Sequence, residues 1–160
     1  VKIIHTALYS AEVDDSTALA ALDDLTRLVR RASQEMDRAI ATCLGESSVS
    51  RWHVLNAVAA GEGVSMSQLV DATLLNSATL TRLIDAMIAD NLVHRKVDDA
   101  DRRRVLVFPT RRGQLTRKVM NQALATSGLA DIAATATATS AVKTLTALAD
   151  RMAATEPAPL

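Results

Sequence analysis

Aromatic residues are nearly absent from this sequence: one Trp, one Tyr and one Phe in 160 positions. A core built on rings is thereby excluded, so the 49% of hydrophobic residues must be buried as Leu, Val, Ile, Met and Ala, chiefly on helices. The single cysteine, Cys43, excludes an intramolecular disulfide framework and fits a reducing compartment. No apolar run approaches the roughly 18 residues of a membrane span, and no basic-then-apolar leader opens the chain. A cytoplasmic protein without a membrane partner is therefore expected. Glycine (5) and proline (3) are scarce, no linker rich in either divides the chain, and no internal repeat is present. A single domain over 1–160, long enough for a real core, follows.

Catalytic constellations are missing as well. The three histidines, His5, His53 and His94, have no metal-pair spacing, and there is no Gly-rich phosphate loop, G-x-S-x-G or C-x-x-C. The acid pairs Asp14-Asp15, Asp23-Asp24 and Asp98-Asp99 are neighbours in sequence, which puts the two carboxylates of each on different faces of a helix or strand. No enzyme activity, catalytic residue, metal or cofactor is expected.

What the sequence does contain is concentrated between Ser67 and Gly113. From Ser77 to Asn91, the apolar residues Leu80, Leu83, Ile84, Met87 and Ile88 recur at the spacing of one buried helical stripe. Asn76 precedes them as an N-cap, since its side-chain oxygen can accept from an orphan N–H of the first turn. The opposite face carries Ser77, Ala78, Thr81, Arg82 and Asp85. Short polar side chains there let the backbone approach a DNA groove closely, while Arg82 reaches base edges or phosphates. Upstream, 67–72 supplies a short helix and Thr73-Leu74-Leu75 a turn, which is helix-turn-helix spacing. Downstream, 92–97 and 104–108 read as two strands joined by the charged tip Asp98-Asp99-Ala100-Asp101-Arg102-Arg103, a wing.

Formal net charge is zero, yet its distribution is uneven. Between Val93 and Lys118 stand nine cations against three aspartates, a local excess of six that the remaining chain cancels. A surface attracts phosphate through the field within a Debye length of roughly 8 Å, so the local excess is what counts.

The ordered combination of Thr81-Arg82-Leu83-Ile84-Asp85, Asn91 to Arg95, Asp98 to Val107, Thr110 and Gly113 resembles the MarR family of winged helix-turn-helix regulators. By motif the similarity covers about 50–125; the flanks match only by helical pattern. Pro109 stands where a leucine is usual, and Arg111-Arg112 replaces a commonly acidic pair. The resemblance implies a mainly α fold with a small two- or three-stranded β wing and flanking dimerisation helices. It places Asp101 and Arg103 at the wing-tip D-x-R positions, with the arginine entering the minor groove. Arg102 is a second candidate there, and Arg95, Lys96, Arg104, Arg111 and Arg112 are candidates for phosphate contacts.

The flanks are expected to be helical. Asp14, Asp15 and Ser16 offer a cap for a helix running to about Leu44, with the stripe Leu22, Leu25, Val29, Ala32, Met36, Ala39 and Cys43, ended by Gly45. Ser50 can cap a helix bearing Trp52, Val54, Leu55 and Val58. Thr110 can cap another whose buried face is Leu115, Val119, Met120, Ala123 and Leu124. Gly128 breaks the chain, Asp131 to Thr139 is Ala/Thr-rich, Ser140 can cap a last helix, and 156–160 reads as a loose tail. The resulting organisation is 16–44 as an N-terminal dimerisation helix, 50–110 as the winged helix-turn-helix, and 111–155 as C-terminal helices completing the dimerisation region. A twofold homodimer would present two recognition helices about 34–36 Å apart to a pseudo-palindromic double-stranded DNA operator. The resemblance further implies repression relieved by a small aromatic or lipophilic effector. Two alternatives stay open: a thiol redox-sensing regulator using Cys43, and a winged-helix module that binds protein.

Overall fold

The structure, a computed structural model, describes residues 2–45 and 48–155, with side chains described for 15–45 and 49–155. The expected loose tail, 156–160, lies outside the described residues. The chain forms two units, 1–40 and 41–160.

The first unit is most of helix α1 (Lys2–Leu44). It begins well before the expected cap, so Asp14, Asp15 and Ser16 lie inside the helix. Side-chain caps compete with helix only where the chain has reason to end, and here the preceding residues are helical too. Gly45 stops α1 at φ 85°, its N–H donating to the Ala41 carbonyl at 2.7 Å. Of the expected stripe, Leu22, Val29 and Met36 are exposed, while Leu25, Ala39 and Cys43 are half-buried.

The second unit runs α2 (Ser48–Ala57), β1 (Val64–Ser65), α3 (Met66–Thr73), α4 (Ser77–Ala89), β2 (Val93–Val97), β3 (Val105–Pro109), α5 (Arg111–Thr126), α6 (Leu129–Ala133) and α7 (Ala136–Ala153). Its core is aliphatic: Val54, Leu55 and Val58 from α2 and its end, Leu69 from α3, Leu80, Ile84 and Met87 from α4, Leu92, Val93 and Val107 from the wing's base, and Met120 from α5. Leu80, Ile84 and Met87 are the inward residues of the α4 stripe; Leu83 is half-buried and Ile88 is exposed at its edge.

Strand order is β1-β3-β2, antiparallel throughout, with Val64 opposite Val107, and Val93, Arg95 and Val97 opposite Pro109, Val107 and Val105. Pro109 therefore ends β3 as a paired residue, so the departure at this position leaves the strand intact. The third strand is two residues long, too short to leave an alternating pattern. It leads into a capping box on α3: Ser65 accepts from the Gln68 N–H, and the Gln68 side chain accepts from the Ser65 N–H at 2.9 Å. The α3 cap is thus Ser65, ahead of the expected start at Ser67.

Two further expectations are corrected by the fold. The buried face of α5 is Gly113 and Met120, flanked by half-buried Ala123 and Leu124, whereas Leu115 and Val119 are 54% and 70% exposed. Helix α7 begins at Ala136 with Thr135 as its cap, accepting from the Ala138 N–H at 3.2 Å, so Ser140 is interior. Alanine is the best helix former but adds little to a hydrophobic stripe, which hides such a start from a periodicity reading.

Candidate nucleic-acid interface

Helix α4 is positioned at both ends. Asn76 caps it, accepting from the Thr79 N–H at 2.8 Å, and Leu74 ends α3 in the left-handed region at φ 55°, its N–H donating to the Val70 carbonyl. At the other end Asn91 takes φ 55°, a conformation asparagine tolerates, so that Leu92 can turn inward and donate to the Met87 carbonyl at 2.8 Å. The helix stops at Ala89, two residues before the expected end. Between these anchors Ser77, Ala78, Thr81, Arg82 and Asp85 are all exposed on one side. Thr81 donates its hydroxyl to the Ser77 carbonyl at 2.8 Å.

The wing tip is ordered by aspartates acting on backbone. Asp101 accepts from the Arg103 N–H at 3.0 Å, and Asp98 accepts from the Ala100 N–H at 3.0 Å. The Asp98 N–H to Arg104 carbonyl and Arg104 N–H to Asp101 carbonyl bonds, both 2.9 Å, close the loop. Each carboxylate mimics a turn of backbone and fixes the next residues. Arg102, Arg103 and Arg104 project from this loop exposed, and Arg104, expected to open the strand, closes the tip instead.

Arg111 and Arg112 are exposed in the first turn of α5. Their position is set by Thr110, which accepts from the Gly113 N–H at 2.9 Å while its own hydroxyl donates to the Asn91 carbonyl at 2.7 Å. The Thr110 N–H donates to the Leu92 carbonyl at 3.0 Å. Thr110 thereby ties the end of α4, the base of the wing and the start of α5 together. Thr110→Val keeps the shape and loses both hydroxyl bonds, so a loss of about 1–2 kcal/mol is expected in urea unfolding.

The candidate cations divide into two groups. Arg95 pairs with Asp85 of α4 at 2.7 Å, Lys96 with Asp99 at 2.7 Å, and Arg104 with Asp98 at 3.8 Å. Arg82, Arg102, Arg103, Arg111 and Arg112 have no ion-pair partner among the described residues. The Arg95–Asp85 pair joins the outward face of α4 to the wing, a link that sequence spacing does not reveal. Arg51 does the same for α2, reaching Asp90 at the end of α4 at 2.6 Å. Five arginines without an ion-pair partner among the described residues, together with three paired cations, can bind a polyanion.

Other singled-out residues serve packing. Trp52 donates Nε1–H to Asn121 Oδ1 at 2.7 Å, which ties α2 to α5, and the His53 ring lies tilted against it with centroids 4.9 Å apart. Cys43 is half-buried. Among the described residues no cluster of His, Cys, Asp or Glu could hold a metal, and no helix is long and apolar enough to cross a membrane.

Comparison with known proteins agrees with this geometry. Residues 48–104 match the MarR family. Solved structures share the fold over most of both chains. BpsR of Bordetella bronchiseptica, whose DNA binding is regulated by 6-hydroxynicotinic acid, is 24% identical with a TM-score of 0.64, covering 82% of this chain and 94% of that one. The transcriptional regulator BldR of Sulfolobus solfataricus is 22% identical, TM-score 0.65, covering 83% and 94%. A cysteine-to-serine mutant of MarR from E. coli, complexed with operator DNA, is 21% identical, TM-score 0.65, covering 78% and 92%. No curated protein sequence matches the chain.

Proposed function

We propose that the chain is a dimeric, sequence-specific DNA-binding transcriptional regulator, a repressor released by a small ligand, a reading that the match of residues 48–104 to the MarR family supports. The observation that carries this reading is the set of exposed arginines without an ion-pair partner among the described residues, Arg82 on α4, Arg102 and Arg103 on the wing tip and Arg111 and Arg112 on α5, displayed on a fold of DNA-binding regulators.

In this mechanism α4 enters the major groove with Ser77, Ala78, Thr81 and Arg82 nearest the bases. Arg103, with Arg102 beside it, enters the minor groove from a tip that Asp101 holds in shape. Arg95, Lys96, Arg104, Arg111 and Arg112 meet phosphates and set the register. The two arginines at the N-terminus of α5 meet the positive end of the helix dipole, which opposes them in the free protein. A phosphate held there would satisfy the dipole and both guanidinium groups at once.

Dimerisation is supported by apolar surface that a monomer has no use for. Helix α1 exposes Leu19, Leu22, Leu28, Val29 and Met36; in the other unit α5 exposes Leu115 and Val119, and α7 exposes Val142, Leu145 and Met152. We assign 16–44 and 111–155 to this dimerisation region and 50–110 to DNA. A ligand that prefers a different spacing of the two recognition helices would lower DNA affinity by its differential binding to the two states. Aromatic or lipophilic effectors are the class to screen, and the 6-hydroxynicotinic acid that regulates BpsR supports it. Sedimentation of the protein with a duplex selected from a random pool is the test. Two protomers per duplex are expected, and a single protomer bound at saturation would contradict the dimeric reading.

A further inference from the structure

The carboxylates around the wing have a physical cost for a DNA-binding surface, because each neutralises a cation that phosphate would otherwise attract. Asp85 holds Arg95, Asp99 holds Lys96 and Asp98 lies 3.8 Å from Arg104. Stability does not account for the most exposed of them: the Lys96–Asp99 pair is 57% and 85% exposed, and an exposed pair of this kind adds little to folding.

We propose that Asp85, Asp98 and Asp99 are specificity-determining residues: intramolecular competitors that hold three cations against sequence-independent capture by phosphate and yield them to a correctly placed backbone. The inference rests on the regulatory reading above. A phosphate that meets Arg95 must displace Asp85, which then regains a counterion from solution. The contact therefore releases less salt than one made by a free arginine. On an arbitrary duplex, where the protein rests loosely, phosphates do not complete this exchange, and binding relies on Arg82, Arg102, Arg103, Arg111 and Arg112. On a target duplex the contacts of α4 and the wing fix the backbone in register, and the exchange is made at all three positions together. Zero net charge then becomes a property of the mechanism, since low background affinity leaves the protein free to find its site among many competing sequences.

Asp98 also accepts from the Ala100 N–H, so altering it would disturb the tip itself. Asp85→Asn and Asp99→Asn leave shape and backbone bonding alone and are the variants to use. Asp150→Asn, an exposed position on α7, changes net charge equally at a place with no paired cation among the described residues and serves as the control once sedimentation shows that its oligomeric state matches the wild type. Affinity for a scrambled duplex is measured against salt for all four proteins, then repeated with a duplex selected by the wild type.

Each wing-side variant is expected to bind scrambled duplex about 1.4- to 5-fold more tightly, the range an exposed ion pair spans. Its plot of log affinity against log salt is expected to steepen by about one unit, while Asp150→Asn matches the wild type. The ratio of selected to scrambled affinity falls. Unchanged scrambled affinity in Asp85→Asn and Asp99→Asn, or an equal gain in Asp150→Asn, would overturn the proposal. A wild type that selects no duplex would instead overturn the regulatory reading, and the scrambled arm would still decide the role of the aspartates.

Discussion

Gly113→Ala is expected to destabilise the fold by about 3 kcal/mol, lowering the melting temperature by roughly 6–12 °C for a chain of this size. An alanine in a helix ordinarily gains up to about 1 kcal/mol over glycine. Here a Cβ would stand 2.0 Å from the Leu92 carbonyl oxygen, 3.0 Å from its carbon and 3.3 Å from Leu55 Cδ2. Backbone cannot swing aside as a side-chain tip can. The same carbonyl accepts from the Thr110 N–H, so moving it strains the joint between the wing and α5. Steric cost exceeds propensity gain, and the sign reverses from that of a typical exposed helix. A thermal melt of the variant at or above the wild-type midpoint would show that α5 does not sit against Leu92 as described.

Arg103→Ala is expected to weaken binding to a selected duplex by roughly 5- to 150-fold, corresponding to about 1–3 kcal/mol, with no loss of stability. Its side chain is exposed and has no ion-pair partner among the described residues, whereas its backbone N–H is held by Asp101, so truncation removes the guanidinium and leaves the tip in place. Arg111→Ala should behave differently, weakening all duplexes alike and flattening the salt dependence by about one unit, as loss of a phosphate contact does. Equal behaviour of the two variants would place both arginines on phosphates. Unchanged binding of Arg103→Ala would remove the wing tip from the interface.

The centre of this fold is legible in the sequence because several independent signals coincide there. Asn76, the stripe through Leu80, Ile84 and Met87, and the charged tip between two strands agree on one arrangement, and each is found in its place. The wing's third strand is not legible, for Val64 and Ser65 gain their strand character only by pairing with Val107 and Leu106. On α5, periodicity groups Leu115 and Val119 with Met120, Ala123 and Leu124 in one face, whereas the side turned to the core holds Gly113, whose missing side chain lets the helix approach Leu92, and hydrophobicity gives such a position no weight. The flanking helices start earlier than caps suggest. Ser140 and Asp14-Asp15-Ser16 are competent caps used as ordinary helical residues, because neighbouring Ala and Thr continue the helix through them.

Of the candidate interface, the residues were legible and their partners were not. Sequence alone marks Arg95, Lys96 and Arg104 as cations equal to Arg82 or Arg103. Only the folded chain brings Asp85 across from α4 to Arg95 and separates the paired cations from the free ones. That distinction predicts which arginines dominate background binding.

We propose that this charge-neutral chain reads DNA sequence through α4 and the wing. The most direct test is the affinity of the wild-type protein for the DNA flanking its own gene and for a scrambled duplex of equal length, each titrated against salt. Tight binding to the first, with a steep fall in log affinity against log salt and weak binding to the second, is the predicted result. Equal, weak binding to both, at every salt concentration, would contradict it.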